Sequence, residues 1–261
     1  MTEQYGNVTV MGIEFTNTTL EGFVDSTIRP CLEQDGKCFI VTANPEIVIA
    51  ARDHPDFMET VQSADHVLPD GIGIINAAKM MGTPLQERVS GIDVMREMLA
   101  HAEEKGYSAY FLGAKEEANR KAVERAKRRF PKLQIAGRHH GYADLDDEAF
   151  VEDIAATKPD IIFVALGMMK QEQWIRRHMD RFDSGVFMGV GGSFDVLSGE
   201  AKRAPDIWIR FQLEWLYRLL KQPKRIFRVL KVAQFMMLHV PVINRIMRIF
   251  GYTKTKARGK G

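Results

Sequence analysis

Cysteine is nearly absent. Cys31 and Cys38 are the only two in 261 residues, too few for a disulfide framework. They form neither a CxxC pair nor a Cys/His cluster of the kind that holds zinc. The opening MTEQYGNVTVMG has no basic stretch running into an apolar core, so no secretory signal is expected and a cytoplasmic setting is the default. No GxGxxG appears after the apolar run at 64–69, and no acid stands at the spacing that completes a dinucleotide site. In the apolar C-terminal region the longest uncharged stretch, Val232 to Asn244, is 13 residues, whereas crossing a bilayer takes about 20. What is present is an ordinary apolar fraction of 45%, enough for one sizeable core with a small appendage and incompatible with general disorder.

Charge is the first strong signal. Residues 200–261 hold 15 Lys and Arg against three Asp and Glu, a balance of +12, while residues 1–199 hold 21 against 31, a balance of −10. A net charge of +2 therefore hides an acidic body and a basic tail suited to a polyanion or an anionic surface. Short apolar runs, CFIVTANP (38–45), ADHVLPDG (64–71), YSAYFLGA (107–114), LQIAGRHHGY (133–142), PDIIFVALG (159–167) and SGVFMGVGG (184–192), each end in turn-forming residues. Amphipathic stretches at 46–62, 72–82, 91–105, 115–130, 146–157 and 171–182 separate them. This alternation predicts an α/β fold, a mainly parallel sheet flanked by helices. In 115–130, Ala118, Ala122, Val123, Ala126 and Phe130 line one side, and Pro131 stops the helix.

In an open α/β sheet, ligands gather where the strands' carboxyl ends meet the following loops. Thr42 and Asn44, Asp70, Gly113, Gly167 and Gln171, and Gly191 to Asp195 all stand at such ends, which points to a binding crevice along one edge. Asp70 has two readings. It can cap the helix IGIINAAKMM, or, beside a cavity, accept a proton from an attacking hydroxyl. Gly71 and Gly73 let backbone N–H groups approach an oxygen-rich ligand. GVGGSFD (189–195), with Gly191, Gly192 and Asp195, is either a nest of N–H groups around a phosphate or a tight turn against a helix. Lys170 suits a phosphate and Gln171 a sugar hydroxyl, or both begin a solvated helix. His139 and His140 read as turn or rim residues, and Trp174 and Phe182 as core. In the tail, Arg218, Lys221, Arg225 and Arg228 recur at helical spacing beside Leu219, Ile226, Val229 and Leu230, and Pro223 should break the helix near Gln222. Beyond it, apolar residues mixed with Lys and Arg suit a helix lying in a membrane interface, or a hairpin packed on the domain or a sister subunit. Nucleic acid is not expected, since no recognition-module pattern accompanies the basic residues.

TANPEIV (42–48), ADHVLPDGIGI (64–74), RVSGID (88–93), YFLGA (110–114), PDIIFVALG (159–167), KQEQW (170–174), VGGSFDVLSG (190–199), RAP (203–205) and LEWLYRLLKQPKR (213–225) together resemble the WecG/TagA/CpsF glycosyltransferases, in family order over roughly residues 8–230. The resemblance implies a Rossmann-like catalytic domain (1–199) and a helical, membrane-associating appendage (200–261) that completes the active site. It implies an inverting transferase, peripheral on the inner face of the cell membrane, moving N-acetylmannosamine from UDP to the 4-hydroxyl of N-acetylglucosamine on undecaprenyl diphosphate. The pathway would be teichoic acid or surface-polysaccharide synthesis. By the same resemblance Asp70 is the base, Thr42, Asn44 and Gln171 line the pocket, Arg88 sits near the acceptor, and Arg218, Arg225 and Arg228 hold diphosphates. No cofactor or divalent ion is implied, and no DxD pair here is suited to holding one. Another donor such as UDP-glucose, for capsule or exopolysaccharide, is the alternative within the fold, and a non-catalytic nucleotide-sugar-binding scaffold the alternative outside it. A homo-oligomer is permitted. Met169 departs from the proline usual before the KQE element.

Overall fold

The computed structural model describes residues 6–201, 203–211, 213–221, 226 and 230. The chain starts with an antiparallel hairpin, β1 (Val8–Val10) and β2 (Ile13–Phe15). Six further strands form one sheet: β3 (Lys37–Ala43), β4 (His66–Pro69), β5 (Ser108–Gly113), β6 (Gln134–His139), β7 (Ile161–Ala165) and β8 (Gly185–Gly189). Their order is β4-β3-β8-β7-β5-β6 and every neighbouring pair is parallel. This is the α/β architecture expected.

The strands' near-continuous apolar composition has its reason in burial on both faces. Every residue of β7 and β8 is buried. Period-two alternation splits each strand between two cores: Phe39, Val41 and Ala43 face one, Cys38 and Ile40 the other. The first core is covered by helices Pro45–Asp53, Pro55–Gln62, Ile72–Met80, Glu148–Ala156 and Lys170–His178, through residues such as Ile47, Phe57, Ala77, Ile154 and Trp174. The second is covered by the helical stretch from Leu20 to Glu33 and helices Gly91–Lys105, Glu116–Arg129 and Ser193–Ser198. Helix Glu116–Arg129 buries Ala118, Ala122, Val123 and Ala126 as its spacing predicts.

Two local features of the helices have causes in the sequence. The stretch 46–62 is two helices, because Pro55 pushes His54 out of the helical region to φ −130° and ψ 100°. The stretch from Leu20 contains a five-residue π turn, Val24–Ile28, just before Pro30. Proline lacks an N–H and its ring crowds the preceding turn, and the wider turn relieves both. At the other end, helices Asp206–Arg210 and Glu214–Lys221 follow. Among the described residues no helix is long and apolar enough to cross a membrane.

Candidate active site

Because the six strands are parallel, their carboxyl ends share one edge, and β3 lies between β4 and β8. Thr42, near the end of β3, is thus flanked by the turns that follow both neighbours. Asp70 begins the turn after β4, its N–H donating to the carbonyl of Ala43 at 3.0 Å. Gly71 then takes a φ of +116°, which a side chain would strain, and leads into helix Ile72–Met80. The N-cap of that helix is Gly71, which has no side chain, and Asp70 stands one residue before it. Its carboxylate reaches sideways and accepts the N–H of Gly91 at 3.3 Å.

Gly91 reaches this point because Val89 N–H donates to the Pro69 carbonyl at 3.0 Å, extending the β4 edge. A Cβ on Gly91 would stand 2.9 Å from Thr42 Oγ1, so a glycine is needed for helix Gly91–Lys105 to start so close to β3. Thr42, Asn44, Asp70 and Arg88 are all half-buried. The Asn44 side-chain carbonyl accepts the N–H groups of Glu46 and Ile47 at 2.9 and 3.1 Å, capping helix Pro45–Asp53.

Guanidinium groups meet carboxylates beside this cluster. Arg88 Nη1 donates to Glu214 Oε2 at 3.2 Å, both side chains largely buried, which seats helix Glu214–Lys221 against the edge. Arg203 donates from Nη1 and Nη2 to the two Asp93 oxygens at 2.6 and 2.7 Å, and Ser90 Oγ donates to Asp93 at 2.6 Å. Burial opposes the charge on Asp93, but hydrogen bonds from Arg203 and Ser90 and the charges of Arg203 and Arg96 hold its carboxyl below the usual range. Burial likewise opposes the Arg203 cation. The bond and charge of Asp93, with the negative charges of Glu214 and Asp70, more than offset it.

The β8 side is different in kind. Gln171 is buried rather than solvated, and Lys170 is exposed. Gln171 Oε1 accepts the N–H of Gly191 at 3.0 Å, and its Nε2 donates to Glu172 Oε1 at 2.7 Å. One N–H of the GVGG turn is thus already satisfied by protein. Met169 precedes this helix at φ +71° and ψ −51°, a strained conformation for any side chain. Proline, fixed near −65°, cannot adopt it, so the departure at this position goes with a backbone that proline would forbid.

Of the other expected site residues, Gly113 ends β5, packed against the backbone of Ala165. Gly192 precedes helix Ser193–Ser198, and Asp195 lies within it, half-buried. Burial, with the charge of Glu200, raises the Asp195 carboxyl against the opposing effect of Lys115. His139 and His140 meet at the end of β6 with ring centroids 4.6 Å apart and planes tilted by 42°, and Trp174 and Phe182 are core. Arg218 falls within helix Glu214–Lys221, and Arg225 and Arg228 lie outside the described residues. No group of three or more His, Cys, Asp or Glu side chains able to hold a metal occurs among the described residues. Glu172, Asp93, Arg203 and Glu214 were not singled out from the sequence. Arg203 and Asp93 did stand within the quoted RAP and RVSGID elements, and Glu172 within KQE.

A parallel α/β protein with a carboxylate, a hydroxyl, amides and guanidinium groups at its strands' carboxyl ends has the layout of an open-sheet enzyme. The profile of the "Glycosyl transferase WecG/TagA/CpsF family" matches residues 8–248. The chain is 42% identical over 223 residues to the N-acetylglucosaminyldiphosphoundecaprenol N-acetyl-beta-D-mannosaminyltransferase of Bacillus spizizenii, covering 85% of this chain and 86% of that one. It is 40% identical over 230 residues to the Staphylococcus aureus protein of the same name, covering 88% and 90%. The chain belongs to the WecG/TagA/CpsF glycosyltransferase family.

Proposed function

We propose that this protein transfers N-acetylmannosamine from UDP-N-acetylmannosamine to the 4-hydroxyl of N-acetylglucosamine on undecaprenyl diphosphate, in teichoic acid or surface-polysaccharide synthesis. The observation that carries this reading is the Asp70 carboxylate beside Thr42 and Gly91 at the ends of β3 and β4, in a chain whose relatives bear that activity in their names. The acceptor oxygen attacks the anomeric carbon of the donor from the face opposite UDP. The carbon–oxygen bond to the diphosphate breaks, its electron pair leaves with UDP, and the hydroxyl proton passes to Asp70. One displacement inverts the anomeric configuration.

Thr42, Asn44 and Gln171 line the pocket, and Arg88 meets the acceptor. Lys170, the turns at Gly71, Gly113, Gly191 and Gly192, and Asp195 form the donor side. Arg218, Arg225 and Arg228 offset the diphosphate charge in place of a divalent ion. Arginine suits that task because its planar fork binds two oxygens at once. Residues 1–199 are the catalytic unit and 200–261 an appendage that lies on the anionic inner face of the cell membrane. The appendage's exposed Ile207, Phe211, Trp215, Leu220 and Leu230 and its +12 balance support this part of the reading.

Incubation with UDP-N-acetylmannosamine and the lipid-linked acceptor should give a disaccharide lipid and free UDP, with other UDP-sugars in a donor panel giving less. An unconsumed donor and no disaccharide lipid would refute the assignment. Truncation near residue 200 should lower turnover and sedimentation with anionic liposomes together. Equal sedimentation of both chains would remove the membrane role.

A further inference from the structure

Glu172 is a buried carboxyl that the displacement chemistry leaves unused. It is 1% exposed, its Oε1 accepts from Gln171 Nε2 at 2.7 Å, and its buried Oε2 has no hydrogen-bond partner. No opposite charge offsets its burial. Helix Lys170–His178 packs on β3, β7, β8, helix Pro55–Gln62 and the turn Met179–Arg181. Neither β7 nor β8 carries a titratable side chain. Lys37 of β3 is directed to Asp180 at 3.9 Å. Glu59 of helix Pro55–Gln62 pairs with Arg176, and Asp146 with Arg177 and His178, all toward the far end of the helix. Asp56 and Arg181 are the remaining charges on these elements, Lys170 stands exposed at the start of the helix itself, and none of these charges acts on the Glu172 carboxyl. Burial pushes its carboxyl up to about 7, against the opposing pull of the Gln171 bond and the N–H groups of Glu172 and Met169.

A primary amide is nearly symmetric in shape, so only its partners decide which end is oxygen. Gly191 N–H requires the oxygen of Gln171, and a Glu172 oxygen requires its nitrogen. The amide is also confined, since a Cβ on Gly189 would stand 2.8 Å from Nε2. We propose that Glu172 is a positioning residue for sugar transfer. Held as the neutral acid with its proton on Oε2, it fixes the orientation of the Gln171 amide and, through it, the glycine turn after β8. This rests on the transferase reading above. An ionised Glu172 would place an uncompensated charge in the same apolar site, and the surroundings would reorganise to hydrate it.

The test uses the full chain as wild type, E172Q and E172A. Transfer from UDP-N-acetylmannosamine to the lipid-linked acceptor is followed from about pH 5.5 to about pH 9, with thermal unfolding alongside. E172A should lose roughly 10- to 100-fold in kcat/KM, the scale of a misplaced reacting group. E172Q should recover most of that loss and lack the alkaline fall of the wild type. A raised carboxyl stabilises the fold at low pH, and that gain disappears as pH climbs from the ordinary 4.5 through about 7. The melting temperature of E172Q should therefore rise relative to wild type across that window. An E172Q profile with the wild-type alkaline limb, or an E172A enzyme of wild-type rate, overturns the proposal. Should E172A not fold, the E172Q limb decides. If the wild type transfers no sugar, the transferase reading fails, and a flat E172Q-minus-wild-type melting difference would then overturn the protonation of Glu172 separately.

Discussion

The β4 side and the β8 side of the edge handle charge in opposite ways. Around Asp70 the polar groups are ionic and paired at long range, Arg88 with Glu214 and Arg203 with Asp93. Around Gln171 they are an amide, a peptide N–H and a carboxyl that burial pushes up to about 7. A hydroxyl losing its proton and a departing diphosphate need fixed charges, which work best when held in place beforehand. A side that holds the shape of a turn is better served by uncharged hydrogen bonds, which carry no large desolvation penalty when buried. On the proposed reading, one half does the electrostatics and the other holds the geometry.

The largest effect expected from breaking this contrast is at Asp70. D70N should lower turnover by roughly 10²- to 10⁴-fold, the scale of a general base, while calorimetry finds UDP affinity changed by less than about threefold. A D70N enzyme of wild-type rate would show that the ionic half does not carry the base. Next is R203A, which leaves the Asp93 carboxylate without its two-pronged partner. Urea unfolding should show a loss of about 2 kcal/mol, the range of a hydrogen bond to a charged group. D93A with R203A together should cost less than the sum of the two single changes. A smaller effect tests whether neutrality of buried groups extends beyond the β8 side. His101 is buried with neither ring nitrogen bonded, and desolvation, helped by the charge of Arg29, lowers its titration from the ordinary 6.5. The unfolded chain takes up this proton first, so stability should decline as pH falls through 6.5. H101L should flatten the dependence of melting temperature on pH there. Finally, chelation should leave turnover unchanged, and a rate restored only by added divalent cation would mean that the arginines do not suffice.

Much of the framework was legible because it is written locally. CFIV, IIFVA and VFMG are apolar on both faces, and turn residues mark where each strand stops, so the shared edge followed from the parallel order alone. Asp70, Thr42 and Gln171 could be picked out for the same reason. The first 33 residues were harder. Strands of three residues are too short for alternation to be recognised, and the π turn before Pro30 breaks the helical period. The ion pairs could not be read from spacing at all, since Arg203 and Asp93 are 110 residues apart and Arg88 and Glu214 are 126 apart. Glu172 was hidden differently. Its composition is that of a solvated helix start, and only the packing of its helix on the sheet reveals that water is excluded.

The approach of position 91 to Thr42 also limits how the protein can be re-engineered. With 2.9 Å between a would-be methyl carbon and the threonine hydroxyl, even alanine could enter only by rotating that hydroxyl away. Libraries meant to broaden donor choice would spend variants there in vain. Diversity is better introduced at exposed positions such as Lys170 or Met168, where a longer or shorter side chain can be tried without moving the backbone.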